Sequence, residues 1–212
     1  MYQPAAFAVA DGAETRAMLL RSPLAQIVVS SGEDFLATPA PLLLNPDGTS
    51  LIGHLARPND VARFAAAAPD GGTACVAIFT GAHGYISPSS YPSKREHGKV
   101  VPTWNYETVH VHGRLHIHQE AQPTLAAVRL LTTHFERARA EPWADTDAPE
   151  DYIDGLLRAI VAIEIVVDRI EAKQKLSQNR PVPDQLGVLA DLHDRPSDGD
   201  LHELMRHVAH KH

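Results

Sequence analysis

The sequence predicts an α+β fold, and three observations support this class. Predicted strands do not alternate regularly with helices, as they would in a doubly wound nucleotide-binding fold. Helical patterns collect at the end of the chain instead. No G-x-G-x-x-G follows a strand and no Walker A sequence is present. The 212 residues, of which 44% are hydrophobic and 21% charged, suffice to bury a core without covalent cross-links.

Capping and turn signals define the elements of the first half. Asp11 and Glu14 have capping-box spacing and begin a helix that Ser22-Pro23 ends. Asn45-Pro46-Asp47-Gly48 is a strong turn between two strand-like runs. The predicted strands are Leu24–Ser30, Phe35–Leu44, Ser50–Ala56 and Thr73–Thr80, the last expected to be buried on both faces, and a helix from Pro58-Asn59-Asp60 to about Ala68 precedes it.

The second half contains one clear strand and a helical tail. The segment Gly81–Val101 is rich in Gly, Ser, Pro and Tyr and is predicted to be a loop. Thr108–His118 alternates apolar residues with histidines, which predicts a half-exposed strand with a break at Gly113. The remaining predictions are helices at 122–139 and 149–157, a strand at 160–168, and two short helices after Pro183. We expect residues 1–180 to form the main domain and residues 181–212 a C-terminal helical extension.

Composition argues against several classes of protein. The net charge is -7, which argues mildly against direct binding of duplex DNA, because DNA readers neutralise phosphates with a basic face. A local basic patch would still allow DNA as a partner. A signal-peptide pattern and a membrane-length apolar run are both missing, so the sequence predicts a cytoplasmic protein. Cys75 is the only cysteine and lies in an apolar run, which favours a buried small hydrophobe over a reactive thiol.

Three segments offer groups for a ligand, each with a structural alternative. The aromatics of Tyr85–Tyr91 and Val101–Tyr106 suit a flat heteroaromatic ring, although Trp104 and Tyr106 packing on the core is the favoured alternative on chemistry alone. Gly53–Asn59 leaves a strand and enters a helix, as phosphate sites do, although Asn59 or Asp60 simply capping the helix is favoured. Lys173, Lys175 and residues 176–179 could close over an anion, or form an ordinary charged strand exit.

The histidines suggest a metal, but a second interpretation is preferred. His110 and His112 have the i, i+2 spacing of two ligands on one strand face. A cupin-like site would also need a carboxylate and a further histidine, and Glu107 lies on the other side of the alternation. We therefore expect no bound metal, and we interpret the C-terminal histidines as a solvated helix face.

Four sequence motifs, taken in their order along the chain, resemble those of a known family. They are GHLARPN at Gly53–Asn59, YISPSSY at Tyr85–Tyr91, VPTWNYETVH at Val101–His110 and KLSQN at Lys175–Asn179. This family is the PaiB-like FMN-binding negative transcriptional regulators, and the resemblance runs from Met1 to about Leu192. It implies a split β-barrel, similar to pyridoxamine-phosphate-oxidase-like folds, that binds FMN at the interface of a homodimer. In such folds the ring site takes residues from both subunits.

The resemblance also implies positions for the cofactor. The phosphate set is Thr38, His54, Leu55, Ala56, Arg57 and Asn59, and the ring set is Trp104, Asn105, Tyr106, Lys175 and Gln178. Two positions depart from the family pattern. Pro39 replaces a histidine, which removes a side-chain donor and a backbone N–H, and Ser90 stands where tryptophan is common.

Function stays open among three hypotheses at this point. The first is an FMN-binding regulator that represses indirectly, because the C-terminal helices lack a convincing helix-turn-helix. The second is a flavin-dependent oxidoreductase acting on a small molecule, for which no catalytic residue is identifiable. The third and weakest is a haem-binding protein on the same barrel, with a histidine as axial ligand.

Overall fold

A computed structural model describes residues 1–68, 71–195 and 198–209. The strands are β1 (Ala8–Val9), β2 (Leu24–Ser30), β3 (Phe35–Pro41), β4 (Leu43–Leu44), β5 (Ser50–Ala56), β6 (Thr73–Ile86), β7 (Thr103–His118) and β8 (Ile160–Lys175). The helices are α1 (Gly12–Arg21), α2 (Asp60–Ala66), α3 (Ser93–His97), α4 (Ala121–Glu136), α5 (Glu150–Leu157), α6 (Val182–His193) and α7 (Gly199–Ala209). No helix of the described ranges is long and apolar enough to cross a membrane.

The strands form one sheet in the order β3-β2-β6-β7-β8-β5-β4, with β1 paired to β8. The pairs with an assigned register, such as β2 with β3 and β5 with β8, are antiparallel. The predicted turn before β5 is present, because the Asn45 backbone N–H donates to the Ser50 carbonyl at 2.9 Å. The helices lie between some of the strands and after β8 but do not alternate regularly with the strands, and the α+β class is confirmed.

The chain divides into two compact units, each built from separated segments. The terminal unit comprises Met1–Arg21, Thr80–Val109 and Glu171–His212, and the central unit comprises Ser22–Phe79 and His110–Ile170. The long strands β6, β7 and β8 therefore each contribute residues to both units. The predicted domain boundary at residue 180 divides the chain into two continuous segments, which is a different kind of division, and it stays a prediction.

The central unit buries the inner faces of its strands. Ala25, Ile27 and Val29 of β2 are almost fully buried at alternate positions, as the period of a strand requires. A Cβ at Gly53 of β5 would lie 2.7 Å from the Pro41 carbonyl oxygen. Glycine at that position therefore allows the backbones at 41 and 53 to approach closely.

The terminal unit has its own apolar core. Its buried members are Ile86, Tyr91, Leu176, Val188, Leu192, Leu201, Leu204 and Met205. Helix α6 is fixed to the start of α3 by buried hydrogen bonds, in which Asp184 accepts from the Ser93 backbone N–H at 3.1 Å and from the Ser93 hydroxyl at 2.7 Å. Both predicted C-terminal helices are present as α6 and α7, and they pack on this core.

The predicted loop at Gly81–Val101 is wrong in two places. Strand β6 continues to Ile86, and α3 spans Ser93–His97. The glycines of this segment were interpreted as loop residues, but they lie at close contacts inside the strand. A Cβ at Gly81 would lie 2.5 Å from the Glu107 Cγ, and one at Gly84 would lie 2.8 Å from the Leu201 Cδ2. These glycines permit close packing inside a strand and do not break it.

The expected burial of Thr73–Thr80 on both faces is also wrong. Ala77 and Phe79 are buried, whereas Ala74 and Thr80 are exposed. Val76 and Ile78 give this second face its apolar character, although both are only half-buried.

Candidate functional site

The central unit contains a small cavity with two arginines in its wall. The cavity measures about 270 Å³ and is lined by Arg57, Ala62, Arg63, Ala66, Ile117, Gln119 and Val161. No acidic residue is among these lining residues. Two guanidinium groups at one small cavity form an environment suited to a phosphate.

Arg57 is held in place by backbone carbonyl groups. Its Nε donates to the Arg158 carbonyl at 3.1 Å and one Nη donates to the Ile160 carbonyl at 3.1 Å. Longer contacts of 3.4 and 3.5 Å reach Gln119. These bonds orient the guanidinium at the cavity wall, although they also use much of its donor capacity.

Asn59 caps the helix that follows it. Its Oδ1 accepts from the backbone N–H groups of Val61 at 3.0 Å and Ala62 at 3.4 Å, and its Nδ2 donates to the Thr38 hydroxyl at 2.9 Å. These bonds are the helix capping by Asn59 that the sequence offered as the alternative to a phosphate site. Since the first N–H groups of α2 are already satisfied, an anion here would depend on the arginines.

Arg63 belongs to this cavity and was missed from the sequence. It lies on α2, and its backbone N–H donates to the Asn59 carbonyl at 2.9 Å. The i, i+4 spacing from the cap to Arg63 was the signal that could have found it, because that spacing brings residues onto one helix face.

The remaining residues of the predicted phosphate set lie elsewhere in the central unit. Leu55 is buried in the core and Ala56 is exposed. His54 lines a separate cavity of about 330 Å³, together with Pro41, Leu131, Thr132, Phe135, Glu136 and Trp143. The buried Nδ1 of His54 has no hydrogen-bond partner in the described chain, and burial lowers the pKa of its imidazole.

The terminal unit presents an exposed aromatic surface. The Trp104 side chain on β7 is 49% exposed. Its ring centroid lies 5.9 Å from that of His83 and 6.3 Å from that of Tyr85. We call these three residues the aromatic face. An exposed indole flanked by two further rings can stack on a planar heteroaromatic ligand, and Trp104 does not pack in the core as the structural alternative required.

Lys175 lies beside this face. Its ammonium donates to the Thr103 hydroxyl and to the Trp104 carbonyl oxygen, the latter at 2.5 Å. Burial lowers the pKa of Lys175, and the charges of Lys173 and Arg180 lower it further. Tyr106, which lies on β7 with Trp104, has its ring centroid 5.2 Å from the Lys173 Nζ.

Asn105 and Gln178 support the backbone around the aromatic face. Asn105 is fully buried, and its Nδ2 donates to the Ser177 hydroxyl at 3.0 Å. Gln178 accepts from the Leu176 backbone N–H and donates to the Gln174 carbonyl oxygen, both at 2.6 Å. These bonds hold the turn at Ser177, whose φ of 67° is unfavourable for a residue with a side chain.

The structure shows the environments of Pro39 and Ser90, the two residues that depart from the family pattern. Pro39 is exposed on β3 at the edge of the sheet, where a missing backbone donor is tolerated. The Ser90 hydroxyl donates to the Asp191 carboxylate at 2.8 Å and thus fastens α6. In place of an aromatic wall, Ser90 provides an anchor for a helix.

A buried charge network behind the aromatic face was not predicted. Glu107 accepts from Arg21 at 2.8 and 3.2 Å and from the Gln174 amide at 3.0 Å. Its side chain is 3% exposed. Glu107 has the same odd-numbered parity as the apolar residues Val109 and Val111, so the strand alternation contained this signal.

His110 and His112 lie on one face of β7, as predicted, and both are half-buried. Their ring centroids are 6.4 Å apart. The expected absence of a bound metal at this pair stays a prediction.

Cys75 is shielded and paired with a backbone group. Its Sγ lies 3.5 Å from the Gly113 carbonyl oxygen. Burial raises the pKa of the thiol to about 12, with a contribution from the charge of Asp168. The interpretation of Cys75 as an unreactive, hydrophobe-like residue is consistent with this environment.

The residues present fit a flavin nucleotide. An exposed indole with neighbouring rings suits the isoalloxazine, and the arginine-lined cavity suits the phosphate. Similarity to a solved structure shows the fold. The FAD and heme binding protein from Mycobacterium smegmatis superimposes with a TM-score of 0.55 at 15% identity, over 79% of this chain and 73% of that chain. The fold is that of the split-barrel flavoproteins, as expected.

Residues 1–169 match the family model described as "Putative FMN-binding domain". The chain belongs to this family, and its cofactor is FMN. Protease synthase and sporulation protein PAI 2 from Bacillus subtilis is 30% identical over 97% of this chain and 96% of its own length. An uncharacterized protein from Aspergillus fumigatus is 35% identical over 53% of this chain, but the match spans only 49% of that relative.

Proposed function

We propose that the chain functions as a homodimer with two shared FMN sites. In each site the phosphate binds at the arginine-lined cavity in the central unit of one subunit. The isoalloxazine ring stacks on the aromatic face in the terminal unit of the other subunit. The observation that carries this proposal is the exposed Trp104, because a large aromatic side chain left open beside two other rings suits a planar ligand.

The contacts around Trp104 support a role in binding the ring. Lys175 is fixed by the backbone carbonyl oxygen of Trp104 itself. Lys175 would hold a positive charge beside a ring stacked on Trp104 and would stabilise negative charge on that ring. FMN supplies electron-transfer chemistry when bound, and the protein supplies orientation and charge.

The biological role we propose is regulation, exerted without direct DNA reading. The relative PAI 2 from Bacillus subtilis carries a name that refers to protease synthesis and sporulation, and the present chain aligns with nearly all of it. The net charge of -7 disfavours contacts with phosphate backbones. We therefore propose that the flavin state is sensed and passed on through protein contacts. A gel shift of duplex DNA at physiological salt would contradict indirect action.

A flavin-dependent oxidoreductase is the second candidate, favoured by Lys175. Its half-buried ammonium, whose pKa is lowered by burial, releases a proton more readily than an ordinary lysine, and perturbed groups of this kind concentrate at reactive sites. Rapid anaerobic bleaching of bound FMN by NADH or NADPH would support an enzyme. A flavin that these donors do not reduce would leave the regulator as the better proposal.

Titration by flavin fluorescence tests where the two halves of FMN bind. We expect Arg57→Ala to weaken FMN by roughly tenfold or more, because a charge-assisted bond is lost. Riboflavin, which lacks the phosphate, should be nearly unaffected. Trp104→Ala should weaken both ligands alike, since it contacts only the ring. Arg139→Ala is the matched control, because Arg139 is exposed and lines neither half-site.

Two results would contradict this placement. An unchanged ratio of FMN to riboflavin affinity in Arg57→Ala would place the phosphate elsewhere, with Lys94 and Lys175 as the next candidates. Failure of the unaltered protein to bind either ligand would contradict the proposed site and would point to the departure from the family pattern at Pro39.

A further inference from the structure

A larger cavity in the terminal unit belongs to neither half of the proposed flavin site. It measures about 570 Å³, within the usual range for small-molecule sites. Its walls come from the N-terminal segment 5–11, the first turn of α1, the end of β8 and the helices α6 and α7. Gln178 of the predicted ring set lines this cavity, but neither Arg57 nor the aromatic face does, so the cavity is distinct from the proposed flavin site.

The polar groups of this cavity are acids and amides. Asp11 and Glu14 supply carboxylates, and Gln174, Gln178 and Gln185 supply amides. Neither lysine nor arginine is among the described lining residues. The Gln174 amide donates to the carboxylates of Glu14 at 3.2 Å and Glu107 at 3.0 Å, which leaves its carbonyl oxygen as an acceptor.

The charged side chains among the described lining residues of the cavity are those of Asp11 and Glu14. Arg21 bonds Glu14 at 3.0 Å and Glu107 at 2.8 Å, so one guanidinium serves two carboxylates. Asp11 adds a further negative charge, and its carboxylate accepts only a backbone N–H from Ala13 at 2.8 Å among the described contacts. A cation entering the cavity would therefore be attracted, and an anion would be repelled.

The rest of the wall is apolar. Its larger members are Phe7, Val9, Leu176, Leu189, Met205 and Val208. Methionine and leucine side chains adapt to a flexible aliphatic body. The cavity thus combines an apolar wall with an acidic, acceptor-rich end.

We infer that this cavity is a binding site for a small organic cation, an aliphatic amine with an alkyl body and an ammonium head. The ammonium lies at the end formed by Asp11, Glu14 and Gln174, and the alkyl chain lies against α6 and α7. An ammonium donates hydrogen bonds and accepts none, so it matches this acceptor-rich end.

Calorimetric titration of the full chain with three probes of equal length tests this inference. We expect n-hexylammonium to bind, n-hexanol to bind more weakly and hexanoate not to bind. Val208→Trp fills the cavity and should abolish binding of hexylammonium. Equal or tighter binding of hexanol or hexanoate would overturn the proposed ligand class, and no binding of any probe would overturn the site.

A pair of charge variants locates the ammonium. Asp11→Asn keeps the helix cap, because asparagine caps as well as aspartate, but it removes the charge. We expect hexylammonium affinity to fall roughly two- to fivefold at low salt. Asp151→Asn changes the net charge equally and lies in the central unit at the start of α5, so its affinity should not change. Equal effects of the two variants would show that only overall charge matters and would overturn the placement.

Discussion

At the scale of single residues, His54 is among the residues of the described chain with a buried, unpartnered polar atom, together with Thr73, Tyr91 and Arg195. Asn105, Glu107 and Asp184 are each compensated by hydrogen bonds, as burial of a polar group requires. The Nδ1 of His54 has no such partner in the described chain. Since burial lowers the pKa of His54, protonation is resisted in the folded state.

This difference predicts an acid-sensitive fold. Unfolding restores His54 to its usual pKa of about 6.5, so below that pH the unfolded chain takes up the proton first. The free energy of unfolding must therefore fall as the pH drops from about 6.5 toward the lowered pKa of the folded state. Urea denaturation between pH 7.5 and pH 5 should show a smaller loss of stability for His54→Gln than for the unaltered protein.

His207→Gln is the matched control, because His207 is exposed on α7. If both variants lose stability with falling pH as steeply as the unaltered protein, His54 is not the source of the acid sensitivity.

Residue types predicted the candidate site only in part. The half-buried Cys75 is consistent with the expectation from the apolar run, whereas the binding of the flavin ring at Trp104 stays a prediction. The roles of Asn105 and Gln178 could not be predicted, because amides are equally suited to binding a ligand and to bracing a turn. Their partners, Ser177, Leu176 and Gln174, are visible only once the chain is folded.

At the scale of elements, periodicity located strands and capping located helices. Strands β2 and β5 have the predicted bounds, and α1 follows the predicted cap at Asp11, which accepts from the Ala13 backbone N–H at 2.8 Å. Strand ends were less predictable. β6, β7 and β8 all extend beyond their predicted bounds, because glycine and polar residues near their ends are stabilised by contacts distant in sequence.

Substitution of glycine by alanine should have opposite effects on the stability of the protein in helices α5 and α6. A Cβ at Gly187 of α6 would lie 2.0 Å from the Ser90 carbonyl oxygen, whereas the nearest atom at Gly155 of α5 is the Arg158 Nη2 at 3.8 Å. Gly155→Ala should stabilise the protein by about 0.5–1 kcal/mol through helix propensity and a less flexible unfolded chain. Gly187→Ala should destabilise it by about 1–3 kcal/mol, because overpacking exceeds that gain.

Thermal or urea denaturation measures both changes. Stabilisation by Gly187→Ala would mean that α6 and the Ser90 backbone are not in close contact in solution. Loss of stability in Gly155→Ala would contradict the open environment of α5.

At the scale of the whole molecule, the proposed shared site predicts complementation between defective subunits. Arg57→Ala and Trp104→Ala homodimers should each bind FMN poorly. In a mixed dimer, one site receives both alterations and the other receives neither. Mixing equal amounts with exchange of subunits should restore about a quarter of the high-affinity sites, because half of the dimers are mixed.

Fluorescence titration of the mixture counts these sites, and sedimentation should give about twice the 23.1 kDa mass of one chain. A mixture that binds no better than its components would place each site within one subunit. A monomer at micromolar concentration would contradict the dimer itself.

The division of the terminal unit among three chain segments has a consequence for its biosynthesis. The Gln3 amide donates to the Ala172 carbonyl oxygen at 2.7 Å, and β1 pairs with residues 172 and 173 of β8. During translation the N-terminal segment therefore stays unpaired until residues beyond 171 leave the ribosome exit tunnel. The pairing partners of strands β2–β5 leave the tunnel earlier. Contacts of such long sequence separation close late. Nascent chains stalled before residue 171 should thus expose the N-terminal segment to protease, and chains released at full length should protect it.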